Sequence, residues 1–252
     1  MLDGLWWTLG LLLPLVFLQR SLHRQIQGIF LLSTRRPDLT MVLFSLIFFP
    51  GVLLHESSHF IMALLLRVRT GGFSLLPRRM DDGRLRLGYV ETASADPIRE
   101  ALIGAAPLFA GGLFVAFAGA RQMGLPMVWE AALNSAGTGM ETVIAALAAL
   151  PQRPDFWVWF YLTFAVSSTM LPSSSDRRGW LPVTLTAALL LGVSLLAGAG
   201  PWLAANAAPL LNRLLRAGAM VLAISVAVHL ALLPPLYLIR RVISRLTGLD
   251  LV

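Results

Sequence analysis

The chain contains no cysteine and no lysine, only three tyrosines, and four histidines in 252 residues. Without cysteine there are no disulfides and no thiolate metal sites, so any metal must be held by His, Asp or Glu. Charge is also scarce. Acidic and basic residues together make up 13% of the chain, against roughly 25% in a soluble domain. That shortage argues against a soluble globular enzyme, because the fold would have no polar surface to offer water. There is also no repeat of 20–50 residues, no low-complexity tail and no Gly-rich phosphate loop.

What is present is apolar. Hydrophobic residues reach 57% and the mean hydropathy is +0.74. The formal charge is +7, and all twenty basic residues are arginine. They sit mainly in short stretches between apolar runs, as the positive-inside rule expects. A nucleic-acid face would gather them on one soluble element, so no nucleic-acid partner is expected.

About 20 apolar residues make one membrane span. The apolar runs are 5–18, 40–66, 97–120, 156–171, 180–199 and 217–239. The first has no basic segment before it and no A-x-A cleavage site, so it reads as a span rather than a signal peptide. Pro234 and Pro235 are expected to kink the last. The expectation is an all-α polytopic membrane protein, a single transmembrane domain over 1–252 with about six transmembrane helices and the lipid bilayer as its surroundings. Residues 19–38, with Arg20, Arg24, Arg35 and Arg36, read as a polar connection.

Two stretches do not read as spans. In 67–95, Asp82-Gly83 is a strong hairpin signal, and Leu85, Leu87 and Tyr89 alternate with Arg84, Arg86 and Gly88 as in a strand. This predicts a small interfacial β-hairpin. Residues 125–150 are broken by Glu130, Asn134, Gly137, Gly139 and Glu141. They read as one or two interfacial helices, with a full span as the alternative.

The chemistry is concentrated in His55-Glu56-Ser57-Ser58-His59, an H-E-x-x-H. On a helix His55 and His59 share a face and can reach one zinc ion, with Glu56 beside them as a general base toward water. With four His and five Glu in 252 residues, chance would produce about 0.001 such strings. Ionisable groups buried within a span are costly and functional by default. A zinc site needs a third protein ligand. The candidates are Asp176, His229, Glu141 and Asp155. Depth favours Asp176, which follows Pro172 and three serines and emerges on the side of Arg67. Asp155 starts the fourth run on the opposite side. His229 and Glu141 stay open.

Three segments together resemble the site-2 protease family of intramembrane zinc metalloproteases. They are 55–59, the small-residue segment 104–111 (Gly-Ala-Ala-Pro-Leu-Phe-Ala-Gly), and 168–176, which is similar to N-x-x-P-x-x-x-x-D-G. The likeness covers 40–180, leaving 181–252 as additional C-terminal spans. It implies a metalloendopeptidase that cuts membrane-protein substrates in or near their transmembrane segments. One Zn2+ per chain would be held by His55, His59 and Asp176, with Glu56 as the base. It also implies a substrate-binding hairpin over 72–92, so that Gly72, Phe73 and Tyr89, with Ser168, would contact an unwound substrate helix. The sequence departs from the family pattern at Ser168, where Asn is usual, and at Arg177, where Gly is usual. No insertion of PDZ size separates the third and fourth runs.

Two other readings share the motif. One is a Ste24/HtpX-like membrane metalloprotease with Glu141 as third ligand. The other is a catalytically idle relative that binds a membrane helix as an adaptor. A metal transporter would want repeated charged sites along a path, and only one cluster is present. The expected location is a bacterial or archaeal cell membrane, and the sequence does not specify an oligomeric state. Eleven arginines group with the hairpin and C-terminus against eight on the other side, a small margin toward a cytoplasmic hairpin and C-terminus.

Overall fold

A computed structural model describes residues 3–75, 78–79 and 85–249. Helix α1 (Asp3–Thr34) runs for 32 residues, about 48 Å at the α-helical rise. The polar stretch 19–38 is therefore helix for most of its length rather than a connection. Leu15, Leu18, Leu22, Ile26 and Leu32 are buried along it, while Arg20 and Arg24 are exposed on other faces. The apolar stripe keeps its 3.6-residue period straight through the polar run, and burial of that stripe decides the structure. Arg35, at φ 54°, breaks the helix. Pro37 then opens α2 (Pro37–Leu65), where a missing N–H costs nothing.

After α2 the chain forms two small antiparallel ladders. Strand β1 (Thr70–Ser74) pairs with β4 (Tyr89–Thr92), and β2 (Arg78–Arg79) pairs with β3 (Leu85–Arg86). This is the expected hairpin, although its Asp82-Gly83 turn lies outside the described residues. It does not merely rest on the rim of the bundle. Leu75 and Leu87 pack on the cluster that holds Leu22, Phe48 and Val52, so the hairpin dips between the helices.

Helix α3 (Pro97–Phe117) starts with Asp96, whose carboxylate accepts from the amides of Ile98 and Arg99. It ends in a π-helical turn over Ala118–Gln122. Residues 125–150 fold as two short helices, α4 (Leu125–Thr138) and α5 (Met140–Ala149), separated by Gly139 at φ 83°. Then come α6 (Phe156–Ser167), α7 (Trp180–Leu196), the single turn α8 (Gly200–Trp202) and α9 (Ala208–Thr247). Pro234 and Pro235 lie inside α9, which continues through them.

Among the described residues, four helical stretches are long and apolar enough to cross a bilayer: Asp3–Thr34, Pro37–Leu65, Pro97–Gln122 and Gly200–Thr247. The expected fourth and fifth spans are shorter, 12 residues in α6 and 17 in α7. The helix directions also differ from those of a six-span chain. Gly4 and Thr8 bond Asn212 and Leu215 at one end of the α1–α9 pair, and Gln25 bonds Arg240 at the other. The two helices are thus parallel, whereas six alternating crossings would make the first and last antiparallel. No residue of α7 is buried. Its leading Gly179 rests on Pro97 and Ala101, at the end of the bundle from which α9 sets out. Arg240, Arg241 and Arg245 therefore lie at the end opposite the hairpin, and Arg213 and Arg216 at the hairpin end, which cuts the margin on which the expected orientation rested to one arginine.

Candidate metal centre

The H-E-x-x-H sits in the second half of α2. His55 and His59 are one turn apart, with ring centroids 4.8 Å from each other. Each ring is fixed from behind by a carbonyl of another element. His55 Nδ1 donates to Thr169 O at 2.7 Å, and His59 Nδ1 donates to Ile103 O at 2.8 Å. A carbonyl can only accept, so each Nδ1 carries a hydrogen, and the nitrogen left to bind a metal is Nε2. These two Nε2 atoms face each other at 3.1 Å.

Asp176 supplies the third corner, with Oδ1 3.3 Å from His59 Nε2 and Oδ2 3.7 Å from His55 Nε2. Two imidazole nitrogens and a carboxylate that converge in this way could hold a cation between them. The two nitrogens are 3.1 Å apart and each meets a different oxygen of Asp176, and one ligand atom from each of the three residues lies within 4.8 Å of the others.

The path that brings Asp176 here begins where α6 stops. Continued as helix, Pro172 would clash with the carbonyl four residues back, at Ser168. The chain turns instead, and Ser173 donates its amide to Asp176 Oδ2 at 2.7 Å. The turn packs on α3 at Gly104, where any Cβ would overlap the carbonyl oxygen of Asp176. Gly104 is therefore what lets the third corner approach α3 at backbone distance. Arg177, where the family pattern has Gly, points its Nε at Ser173 O and helps close the turn.

Glu56 is 9% exposed and lines a cleft of ≈ 820 Å³ together with His55, His59 and Asp176. The hairpin covers it. A Cβ on Gly88 would come within 2.9 Å of Glu56 Cγ and 3.0 Å of Val52 Cγ1. Gly88 was not among the sequence-predicted site residues, because nothing local marks a contact between 56 and 88.

The four expected substrate contacts divide. Ser168 lines the cleft, but its hydroxyl is engaged with His229 Nε2 at 3.0 Å. Gly72, Phe73 and Tyr89 do not line it. Gly72 donates its amide to Glu91 Oε2, Phe73 meets Phe60 edge to face, and Tyr89 pairs with Ser74 in the ladder. The wall is formed instead by Leu87, Gly88 and Val90.

The other candidate ligands lie apart. His229 is fully buried and donates Nδ1 to Ser225 O at 2.7 Å. Glu141 is in the first turn of α5, and Asp155 precedes α6 at the end away from Ser168. Among the described residues, the group of three or more metal-ligating side chains is His55, His59 and Asp176. No family model, no curated protein and no solved structure matches the chain.

Proposed function

We propose that the chain is a zinc-dependent intramembrane metalloendopeptidase that hydrolyses peptide bonds in or near transmembrane segments, as the resemblance to site-2 proteases implies. One observation carries the reading. Two Nε2 atoms and a carboxylate converge with edges of 3.1, 3.3 and 3.7 Å, beside a glutamate that is not one of them. When bound, zinc acts as a Lewis acid and lowers the pKa of a water from about 15.7 to about 7.

The chain's own residues do the rest. His55 and His59 remain neutral and fixed in tautomer by Thr169 and Ile103. Glu56 takes a proton from the attacking water on its carboxylate and returns it to the departing amine. Strand β4 (Tyr89–Thr92) offers main-chain groups to a peptide that has left its helical conformation. Pairing there would meet amide groups that cannot remain bare in a bilayer.

In this reading the bilayer is crossed by α1, α2, α3 and α9, and by α6 together with the turn to Asp176. That gives five crossings, which agrees with the parallel run of α1 and α9. The test is to purify the protein, measure zinc, and follow cleavage of single-span membrane proteins beside Glu56→Gln. The variant should keep fold and metal and lose cleavage, because neutral glutamine accepts no proton. Wild-type turnover in Glu56→Gln would remove Glu56 from the mechanism. Zinc binding with no cleavage of any substrate would favour the adaptor.

A further inference from the structure

Beneath the metal centre lies a second set of polar side chains that the mechanism does not use. Gln19 and His23 are one turn apart on α1. Gln19 Nε2 donates to the carbonyl of Ser168. The Ser168 hydroxyl bonds His229, and His229 bonds Ser225 O. The exception is His23. Its Nε2 is the one buried side-chain nitrogen or oxygen, among the described residues, that makes no hydrogen bond. The ring is held edge-on by Phe44 and Phe48, at centroid distances of 5.4 and 4.7 Å, contacts that do not replace a hydrogen bond. An unmatched polar atom in such a place calls for a partner that arrives from elsewhere.

The position indicates what that partner is. His23 lines the same cleft as His55, Glu56, His59 and Asp176. Phe48, which the His23 ring contacts, precedes His55 by seven residues, two turns or about 10 Å along the same face of α2. An extended peptide covers that distance in about three residues. Such a peptide carries main-chain N–H and C=O groups that find no water in a bilayer, and an imidazole can serve either one.

We propose that His23 is a deep subsite residue, hydrogen-bonding a main-chain amide group of an extended peptide about three residues from the metal centre. The proposal rests on the metallopeptidase reading and adds to it a residue of α1, outside the segments that carry the family resemblance. It makes the cleft long enough to read several residues of the unwound substrate. It also accounts for an ionisable ring kept within an apolar core.

The test uses the full chain in nanodiscs, loaded with zinc, and hydroxamate probes. A short probe, acetyl-leucine hydroxamate, spans only the metal centre. Two longer ones, acetyl-tetraleucine hydroxamate and a succinyl hydroxamate extended by three leucines, reach along the cleft in either chain direction. In the wild type one of the longer probes should bind more tightly than the short one. His23→Phe, which preserves the ring contacts, should weaken that probe about 3- to 10-fold, the weight of one hydrogen bond. It should leave the short probe and the zinc content unchanged. His23→Gln, which can still donate and accept, should recover part of the loss. If both variants bind the longer probe as the wild type does, the subsite is overturned and the metallopeptidase reading stands. If no hydroxamate binds the wild type, the metallopeptidase reading falls and the subsite falls with it.

Discussion

His55 and His59 owe their orientation to two carbonyls on different parts of the chain, Thr169 after α6 and Ile103 on α3. The spacing of the two histidines and the place of Glu56 between them are legible from the string alone, because a helix puts i and i+4 on one face. The carbonyls behind them are not legible, since backbone partners leave no mark in the side-chain pattern. Gly88 is a similar case. Its value is the absence of a Cβ against Glu56 and Val52, which appears only when a strand and a helix far apart in sequence are packed together. Gly88→Ala should therefore leave zinc content unchanged and lower turnover, because the new methyl displaces Glu56 and not a ligand. Overpacking of this kind costs about 1–3 kcal/mol. Adding Val52→Ala makes room beside it and should restore part of the activity. Turnover equal to wild type in Gly88→Ala would show that Glu56 is not held from that side.

At the scale of elements, the α1, α2 and α3 spans could be read from length and apolarity, whereas the full extent of α1 and the early end of α6 could not. In α1 the apolar stripe outlasts the polar residues interleaved with it, so a helix of 32 residues replaces a span plus a connection. In α6 the apolar run continues past Ser167, but the helix stops there because Pro172 forbids another turn, and the chain turns toward His55 and His59. The seating of that turn on α3 gives a paired prediction. Gly104→Ala drives a methyl into the Asp176 carbonyl and should weaken zinc binding at least 10-fold, the range seen when a ligand's support is lost. Gly112→Ala, eight residues further along the same helix, meets nothing nearer than Val221 Cγ1 at 3.9 Å and should leave zinc binding unchanged. Equal zinc affinity in the two variants would mean that α3 does not position Asp176.

For the whole molecule, composition already requires an apolar solvent. The structure agrees in leaving leucines such as Leu13, Leu113 and Leu189 exposed at 68% or more. Topology was harder to read, because a count of apolar runs is silent about whether a run crosses or only half crosses. The parallel pairing of α1 with α9 predicts that the two ends of the chain lie on opposite sides of the membrane. The chain has no cysteine, so single cysteines at Leu5 and Leu249 can be labelled without background. An impermeant maleimide should reach one from outside intact cells and the other only after lysis. Labelling of both from the same side would restore an even number of crossings.

The central claim, that His55, His59 and Asp176 form one metal site, is tested most directly by zinc bound per chain after dialysis against a weak chelator, at equal folding. The wild type should retain about one zinc ion, the stoichiometry of a single site. Asp176→Ala should bind at least 10-fold more weakly, since the loss of a supporting contact alone costs 10- to 100-fold. His229→Ala and Glu141→Ala should retain the wild-type level. Full zinc in Asp176→Ala, with loss of zinc in His229→Ala or Glu141→Ala, would contradict the account and move the site to another helix.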